Sequence, residues 1–254
     1  TWQDGLQHIQ TTIIDTRDTA TGAHHTPDSW QVGTTGDDDF TATRDIVHGW
    51  DGDDTIADGG GLNAVYGEAG DDRIGISGVN ASESRHGGTG IDTLVGSYMA
   101  DGTRYDLAAG YVEQGAVQET IIGFEHVLGS TVDEILIGNF QQNRLEGGGG
   151  NDTLNGGAGT DTILGGAGND LMVLELFDGA DSFDGGLGTD TVDFSGVGTH
   201  MEIVLGAAGT YAFAPGDPTY DLHGVEHVLM GGGNDRVNGD GLNNRIEGGA
   251  GDDS

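Results

Sequence analysis

Residues 147–173 read GGGGNDTLN, GGAGTDTIL and GGAGNDLMV, three nine-residue phrases in unbroken register. Glycine fills places one, two and four, aspartate place six (Asp152, Asp161, Asp170), and an apolar residue place eight (Leu154, Ile163, Met172). A period of this kind decides the architecture, because each repeat is one structural unit that buries its apolar side only against its neighbours. The phrase continues outward in both directions. GWDGDDTIA, DGGGLNAVY and GEAGDDRIG fill 49–75, GGTGIDTLV fills 87–95, and a looser GTTGDDDFT stands at 33–41. On the other side lie GSTVDEILI (129–137), GNFQQNRLE (138–146), GGLGTDTVD (185–193) and MGGGNDRVN from 230. Place eight then reads Phe40, Ile56, Val65, Ile74, Leu94, Leu136, Leu145, Leu154, Ile163, Met172, Val192, Val237 and Ile246, a ladder that predicts one continuous core.

The spacing predicts a turn followed by a strand. Glycines at places one, two and four let the backbone take positive φ and turn with no Cβ in the way, leaving carbonyl oxygens crowded into a small space. The T-U-x that follows the acid is a short β-prone strand with its place-eight side chain inward. Two phrases close one coil, so repeats n and n+2 stack on the same edge at about 4.8 Å and bring their acids together. Two bare carboxylates about 4 Å apart repel by roughly 4 kcal/mol at an effective dielectric near 20. A divalent cation reverses that sign.

Oxygen-only donors in a flexible loop suit Ca²⁺, which takes six to eight oxygens at about 2.3–2.6 Å, better than Mg²⁺ with its stricter octahedron. Candidate calcium ligands are the acids Asp38, Asp54, Asp72, Asp92, Asp152, Asp161, Asp170, Asp181, Asp190, Asp235 and Asp253, with the turn glycines Gly148, Gly150, Gly157, Gly159, Gly166 and Gly168. The same-edge pairs expected are Asp54 with Asp72, Asp72 with Asp92, Asp152 with Asp170, Asp170 with Asp190, and Asp161 with Asp181. Asn63, Asn143 and Asn244 at place six weaken their sites.

A longer period overlies the short one. Eleven-residue breaks at 76–86 and 174–184 are each followed by a nonapeptide, a glycine-poorer segment and a matching phrase, GFEHVLGS at 123 and GVEHVLMG at 224. The reading is a duplicated unit of about a hundred residues: a lead-in or the end of a preceding domain at 1–32, a first unit at 33–146 and a second at 147–254. YDLAAGYVE and HMEIVLGAAGTYAF, in the glycine-poor parts, alternate as strands do. GGAGDDS at 248–254 fills places one to seven of a phrase, so the expectation is a native chain continuing with an apolar residue at 255.

Composition narrows the partners. Glycine supplies 51 of 254 residues, about a fifth against a usual share of roughly 7%, which argues against long helices. Hydrophobic residues are 34%, and 43 acids face 8 bases, all arginine, for a formal charge of -35. Such a chain repels nucleic acid and anionic lipid, and no apolar run approaches the roughly 18 residues of a membrane span. Cysteine is absent, so neither disulfides nor thiolate metal sites hold the fold. Cations are the natural partner.

The sequence resembles the RTX, or haemolysin-type calcium-binding, repeat proteins of Gram-negative bacteria, whose consensus GGxGxDxUx is matched by GGAGTDTIL and GGAGNDLMV. Residues 33–95 and 129–254 carry the likeness. It implies an all-β fold, a right-handed parallel β-roll or β-helix solenoid with several calcium ions between turns, export by type I secretion, and folding in calcium-rich surroundings outside the cell or at its surface. Glu83 and Arg85 stand where places six and eight belong, and Glu134 replaces aspartate, so those positions are expected to bind calcium poorly or not at all.

Catalytic signals are thin. His223-Gly-Val-Glu226-His227 satisfies the H-x-x-E-H zinc pattern, but that motif needs a helix, and Gly224 with its β-branched neighbours predicts a strand. His24-His25 have no partner at a ligand spacing. Trp2, Trp30, Trp50, Tyr105 and Tyr111 offer a sugar platform only if they converge, and packing explains them more simply. The reading is a non-enzymatic module of a larger secreted or surface protein. The alternatives are an accessory module of a secreted protease, lipase or alginate-modifying enzyme, and a glycan-binding adhesin segment, with other domains of the same polypeptide as further partners.

Overall fold

A computed structural model describes residues 30–42, 46–59, 64–174, 179–205, 210–213 and 220–254. The first 29 residues, with Trp2, His24 and His25, lie outside it, as do Asn63 and the side chain of Trp30. Every element among the described residues is a strand. No helix there is long and apolar enough to cross a membrane.

The chain winds between two sheets, laying one strand on each in turn. In spatial order the thirteen-stranded sheet holds Trp30–Val32, Ile46–Asp51, Ala64–Ala69, Ser84–Thr89, Val117–Ile122, Tyr111–Gln114, Thr103–Asp106, Glu134–Ile137, Thr153–Asn155, Leu171–Val173, Thr191–Asp193, His227–Leu229 and Arg245–Glu247. The twelve-stranded sheet holds Asp39–Ala42, Thr55–Asp58, Arg73–Ile76, Thr93–Gly96, His126–Leu128, Arg144–Gly149, Thr162–Ala167, Ser182–Leu187, Tyr220–His223, Thr210–Phe213, Glu202–Val204 and Arg236–Asn238. The fold is a parallel β-solenoid.

Register follows from the repeat length. Leu145 pairs with Ile163 and Leu154 with Met172, two nonapeptides apart. Across the breaks the step lengthens: Ala64 pairs with Ser84 and Ile163 with Phe183. The two added residues leave the pleat phase unchanged, since a strand's side chains alternate with period two. The place-eight ladder is therefore buried from Ile56 through Val192, with Phe40 and Val237 packed against it. Each such side chain contributes about 1.5–3 kcal/mol by leaving water. Ile246, in the last described coil, is 41% exposed.

The glycine-poor segments are hairpins inserted into the stack. Thr103–Asp106, Tyr111–Gln114 and Val117–Ile122 form an antiparallel meander, its outer strands pairing in parallel with Glu134–Ile137 and Ser84–Thr89. Glu202–Val204, Thr210–Phe213 and Tyr220–His223 repeat the arrangement, but in the other sheet. From Ser84–Thr89 to Ser182–Leu187 the chain crosses between the sheets nine times, the meander counting as one strand, and an odd number of half-coils swaps the edge. The strand Arg144–Gly149 runs through the 146/147 division without a break in either sheet.

Candidate metal centre

The turns use their glycines for two different reasons. At places two and four the backbone is left-handed: Gly148 has φ +99°, Gly150 +118°, Gly166 +110° and Gly168 +144°. Place one differs from expectation, for Gly147, Gly156 and Gly165 are not in that region. Space decides there. A β-carbon on Gly147 would lie 2.7 Å from the Gly165 carbonyl oxygen of the next coil and closer still to Asp152 Oδ2. Gly49, Gly67, Gly165 and Gly185 are hemmed in by the same pair of oxygens. Trp50 and Glu68 occupy place two with φ of 84° and 83°, a conformation that costs a non-glycine residue about 1–3 kcal/mol.

The place-six acids form two ladders, one along each sheet. In the first, the amides of Asp38, Asp54 and Asp72 donate to Oδ1 of Asp54, Asp72 and Asp92 at 2.8–2.9 Å. On the other edge the amides of Glu134, Asp152 and Asp170 donate to Oδ1 of Asp152, Asp170 and Asp190, each at 2.8 Å. The Asn143 and Asp161 amides donate to Asp161 and Asp181 at 2.8 and 2.7 Å, and Asp235 to Asp253 at 2.9 Å. All five same-edge pairs expected from the sequence are thus neighbours. The amide-to-carboxylate bond that joins them was not legible in the spacing.

One oxygen of each acid is used in this way and the other is left over. Oδ2 of Asp54, Asp72, Asp92, Asp152, Asp170, Asp190 and Asp235 is buried with no hydrogen-bond partner, although these residues are at most 2% exposed. A buried, uncompensated carboxylate is among the costliest groups a protein can hold. Burial accordingly pushes the Asp92 and Asp152 carboxyls up to about 7 and those of Asp54 and Asp190 up to about 6, against the partial opposition of the ladder hydrogen bond. Neighbouring acids add to it, Asp170 and Glu134 at Asp152 for example. Desolvation, rather than the like-charge repulsion read from the spacing, is the larger cause. Asp72 and Asp170 are raised in the same way.

Elsewhere the acid is already satisfied. Asp38 Oδ2 accepts from the Thr34 amide at 2.5 Å and its hydroxyl at 3.0 Å, and Glu134 accepts from the Ser130 amide and hydroxyl at 2.7 and 2.8 Å. Asn143 Oδ1 accepts from the Asn139 amide at 2.7 Å while its Nδ2 donates to the Glu125 carbonyl at 2.9 Å. Asn244 Oδ1 accepts from the Asp240 amide at 2.9 Å. Arg85 takes a core position at 1% exposure. Its guanidinium is ion-paired with Glu119, with Asp58 at 3.2 Å and with Glu83 at 3.4 Å, and its Nε donates to the Gly75 carbonyl at 2.9 Å.

Among the described residues no three acidic or histidine side chains converge on one point. Any ion held here draws on backbone carbonyls, and the orphaned Oδ2 atoms of Asp54, Asp72, Asp92, Asp152, Asp170 and Asp190 lie with a glycine carbonyl of the next coil around a gap that only glycine leaves open. Hard oxygen donors, negative charge without a counter-ion and a turn of adjustable shape fit calcium. The family comparison agrees: the RTX calcium-binding nonapeptide repeat matches four times, at 41–74, 135–172, 173–195 and 231–254. The chain carries RTX calcium-binding nonapeptide repeats. No curated protein matches the chain. In this solenoid the matched stretches take in the run 147–173, whose Asp152 and Asp170 are left with bare oxygens.

The other singled-out residues fall into place around the ladders. His223 ends one strand and His227 begins another in the opposite sheet, with Gly224 at φ +56° between them. The H-x-x-E-H stretch is therefore a turn between sheets, neither the helix a zinc site requires nor the single strand expected. Tyr105 is fully buried in the core, Tyr111 half-buried and Trp50 exposed, so these three form no shared platform. Instead His48, Tyr66 and His86 stack across three strands, with ring centroids 5.0 and 4.6 Å apart. Burial lowers the His86 pKa.

Proposed function

We propose that this RTX solenoid is a calcium-dependent structural module, folding as calcium is bound outside the cell and serving as the secreted or surface-exposed repeat part of a larger protein. The carrying observation is the set of buried, partnerless Oδ2 atoms of Asp54, Asp72, Asp92, Asp152, Asp170 and Asp190, each beside a glycine carbonyl of the next coil. Calcium supplies the positive charge that such a set of oxygens lacks. Asp54, Asp72, Asp92, Asp152, Asp161, Asp170, Asp181, Asp190 and Asp235 give the carboxylates, Asp38 and Asp253 stand at the ladder ends, and Gly148, Gly150, Gly157, Gly159, Gly166 and Gly168 let the turn present its carbonyls. The chain's own part is to hold one oxygen of each acid fixed by the ladder amide and to keep the other aimed inward. With 34% hydrophobic residues and a charge of -35, burial alone does not offset the self-repulsion of the compact state.

A calcium titration followed by circular dichroism tests this. The β signal is expected to rise cooperatively as calcium reaches roughly 0.1–1 mM, the range of extracellular modules, and a full β spectrum in excess chelator contradicts it. The non-enzymatic reading rests on the same ground, since the paired acids are accounted for by the ladders. Service as the accessory module of a secreted enzyme is compatible with this role and differs only in what the rest of the polypeptide does.

A further inference from the structure

We propose that Gly123-Phe124-Glu125 and Gly224-Val225-Glu226 are shortened half-sites, each closing a run of nonapeptides with one additional calcium-class site shared with Asp92 and Asp190 respectively. The inference rests on the calcium reading above and extends it to residues outside all four stretches that match the RTX repeat. Neither phrase has the GGxGxD pattern.

The two phrases nevertheless perform each task of a nonapeptide turn. Glu125 Oε2 accepts the Asp92 amide at 2.9 Å, and Glu226 Oε2 accepts the Asp190 amide at 2.9 Å, the part played by Oδ1 of a place-six aspartate in the ladders. The next amide also keeps its role. His126 N donates to the Asp92 carbonyl at 3.0 Å and His227 N to the Asp190 carbonyl at 2.9 Å, as Thr93 N does to Asp72 and Thr191 N to Asp170. Gly123 and Gly224 stand in for place one. A β-carbon on Gly87 would meet the Gly123 carbonyl oxygen and lie 2.5 Å from Asp92 Oδ2, and one on Gly185 would meet the Gly224 carbonyl oxygen and lie 2.6 Å from Asp190 Oδ2.

The second observation is the unused oxygen. Asp92 and Asp190 are fully buried, and Oδ2 of each has no hydrogen-bond partner. Each points into the gap that Gly123 or Gly224 borders. In a nonapeptide four residues separate place one from the acid, whereas here one does, and the longer glutamate side chain makes up the reach. The same construction arises twice, on opposite sheets, in segments offset by 224 - 123 = 101 residues. A shortened turn keeps one residue where places two to five stand and offers fewer carbonyls, so these sites fill last.

The test is equilibrium dialysis with radioactive calcium on the whole chain and on the double variant Glu125→Gln/Glu226→Gln, with circular dichroism on the same samples. Glutamine keeps an oxygen to accept the aspartate amide and removes the charge. The expected result is two fewer bound ions per chain, lost from the last part of the isotherm, with the β spectrum in saturating calcium retained. An unchanged ion count with a native spectrum overturns the inference and leaves the calcium reading intact. Should the double variant not fold, Glu125→Asp/Glu226→Asp is read in the same way, because it keeps the charge and shortens the reach. A native chain that binds no calcium overturns both.

Discussion

Two coils of the duplicated unit place different side chains at one position. Arg85 lies in register between Val65 and Ile121, and Phe183 between Ile163 and Leu222. Both are buried, at 1% and 0% exposure. The arginine meets Glu119, Asp58 and Glu83 inside the stack. Around the phenylalanine the interior is apolar and the charge sits on the edges, at Asp161, Asp170, Asp181 and Asp190. The coil backbone accepts either content provided the charge closes. In the first copy a built-in guanidinium closes the charge of Glu119, Asp58 and Glu83, whereas the ladder acids of both copies, Asp92 as much as Asp190, keep an oxygen without a partner.

The sharpest way to break this comparison is one substitution made in both places. Arg85→Met leaves three acids facing each other without their cation, and removing one partner of a buried pair costs about 3–5 kcal/mol. Phe183→Met is close to a volume-conserving swap, for which less than about 1.5 kcal/mol is usual. Urea unfolding of the two variants in saturating calcium measures the difference. Equal losses would show that Arg85 is no more than a filler of the coil.

A smaller effect separates the two acids that precede these residues or their neighbours. Asp161→Ala removes a ladder member inside the longest run, where each coil leans on the next, and is expected to raise the calcium midpoint several-fold. Glu83→Ala acts on the arginine cluster and is expected to lower urea stability while leaving the calcium midpoint in place. Matching midpoint shifts in the two titrations would erase the distinction.

Protons should partly replace calcium on the ladder edges. The carboxyls of Asp54, Asp92, Asp152 and Asp190 stand at about 6 to 7 in the folded chain against an unfolded value near 3.8. A group raised on folding stabilises the fold below its unfolded value and loses that contribution as pH climbs through the folded value. In chelator, therefore, the β signal is expected to grow as pH falls from 8 to 5, and a flat profile would contradict the burial of these acids. The smallest effect expected is at Glu68, left-handed at place two with its carboxylate on His48 Nδ1 at 2.5 Å. Glycine there relieves strain of about 1–3 kcal/mol and gives up an exposed pair of about 0–1 kcal/mol. Glu68→Gly should leave the melting temperature unchanged or raised, and a clear drop would mean the backbone is unstrained.

The sequence disclosed whatever has a period. The strand after each acid, the two-repeat coil and the buried ladder from Ile56 to Val192 all follow from the nine-residue spacing. What escaped it is non-local or only twice repeated. Arg85 reads as a defect at place eight until Glu119, 34 residues on, is brought against it by the meander. Glu125 and Glu226 lack the glycine pattern, and the signal they did carry was the repeated G-x-E-H-V-L phrase. The place-one glycines were assigned the right residue for the wrong reason, because a clash with the next coil does not register in a one-dimensional pattern.

Hydrogen exchange read by mass spectrometry, with and without calcium at neutral pH, tests the central claim most directly. That claim is that the run 147–193 depends on an external cation throughout, while the strands around Arg85, whose interior acids are paired with its guanidinium, depend on one only at the Asp92 edge. In chelator the amides of 147–193 should exchange rapidly while those of 84–89 and 117–122 keep the greater protection, and calcium should restore the run. Protection of 147–193 in chelator equal to that of the Arg85 strands, unchanged by calcium, would contradict the account.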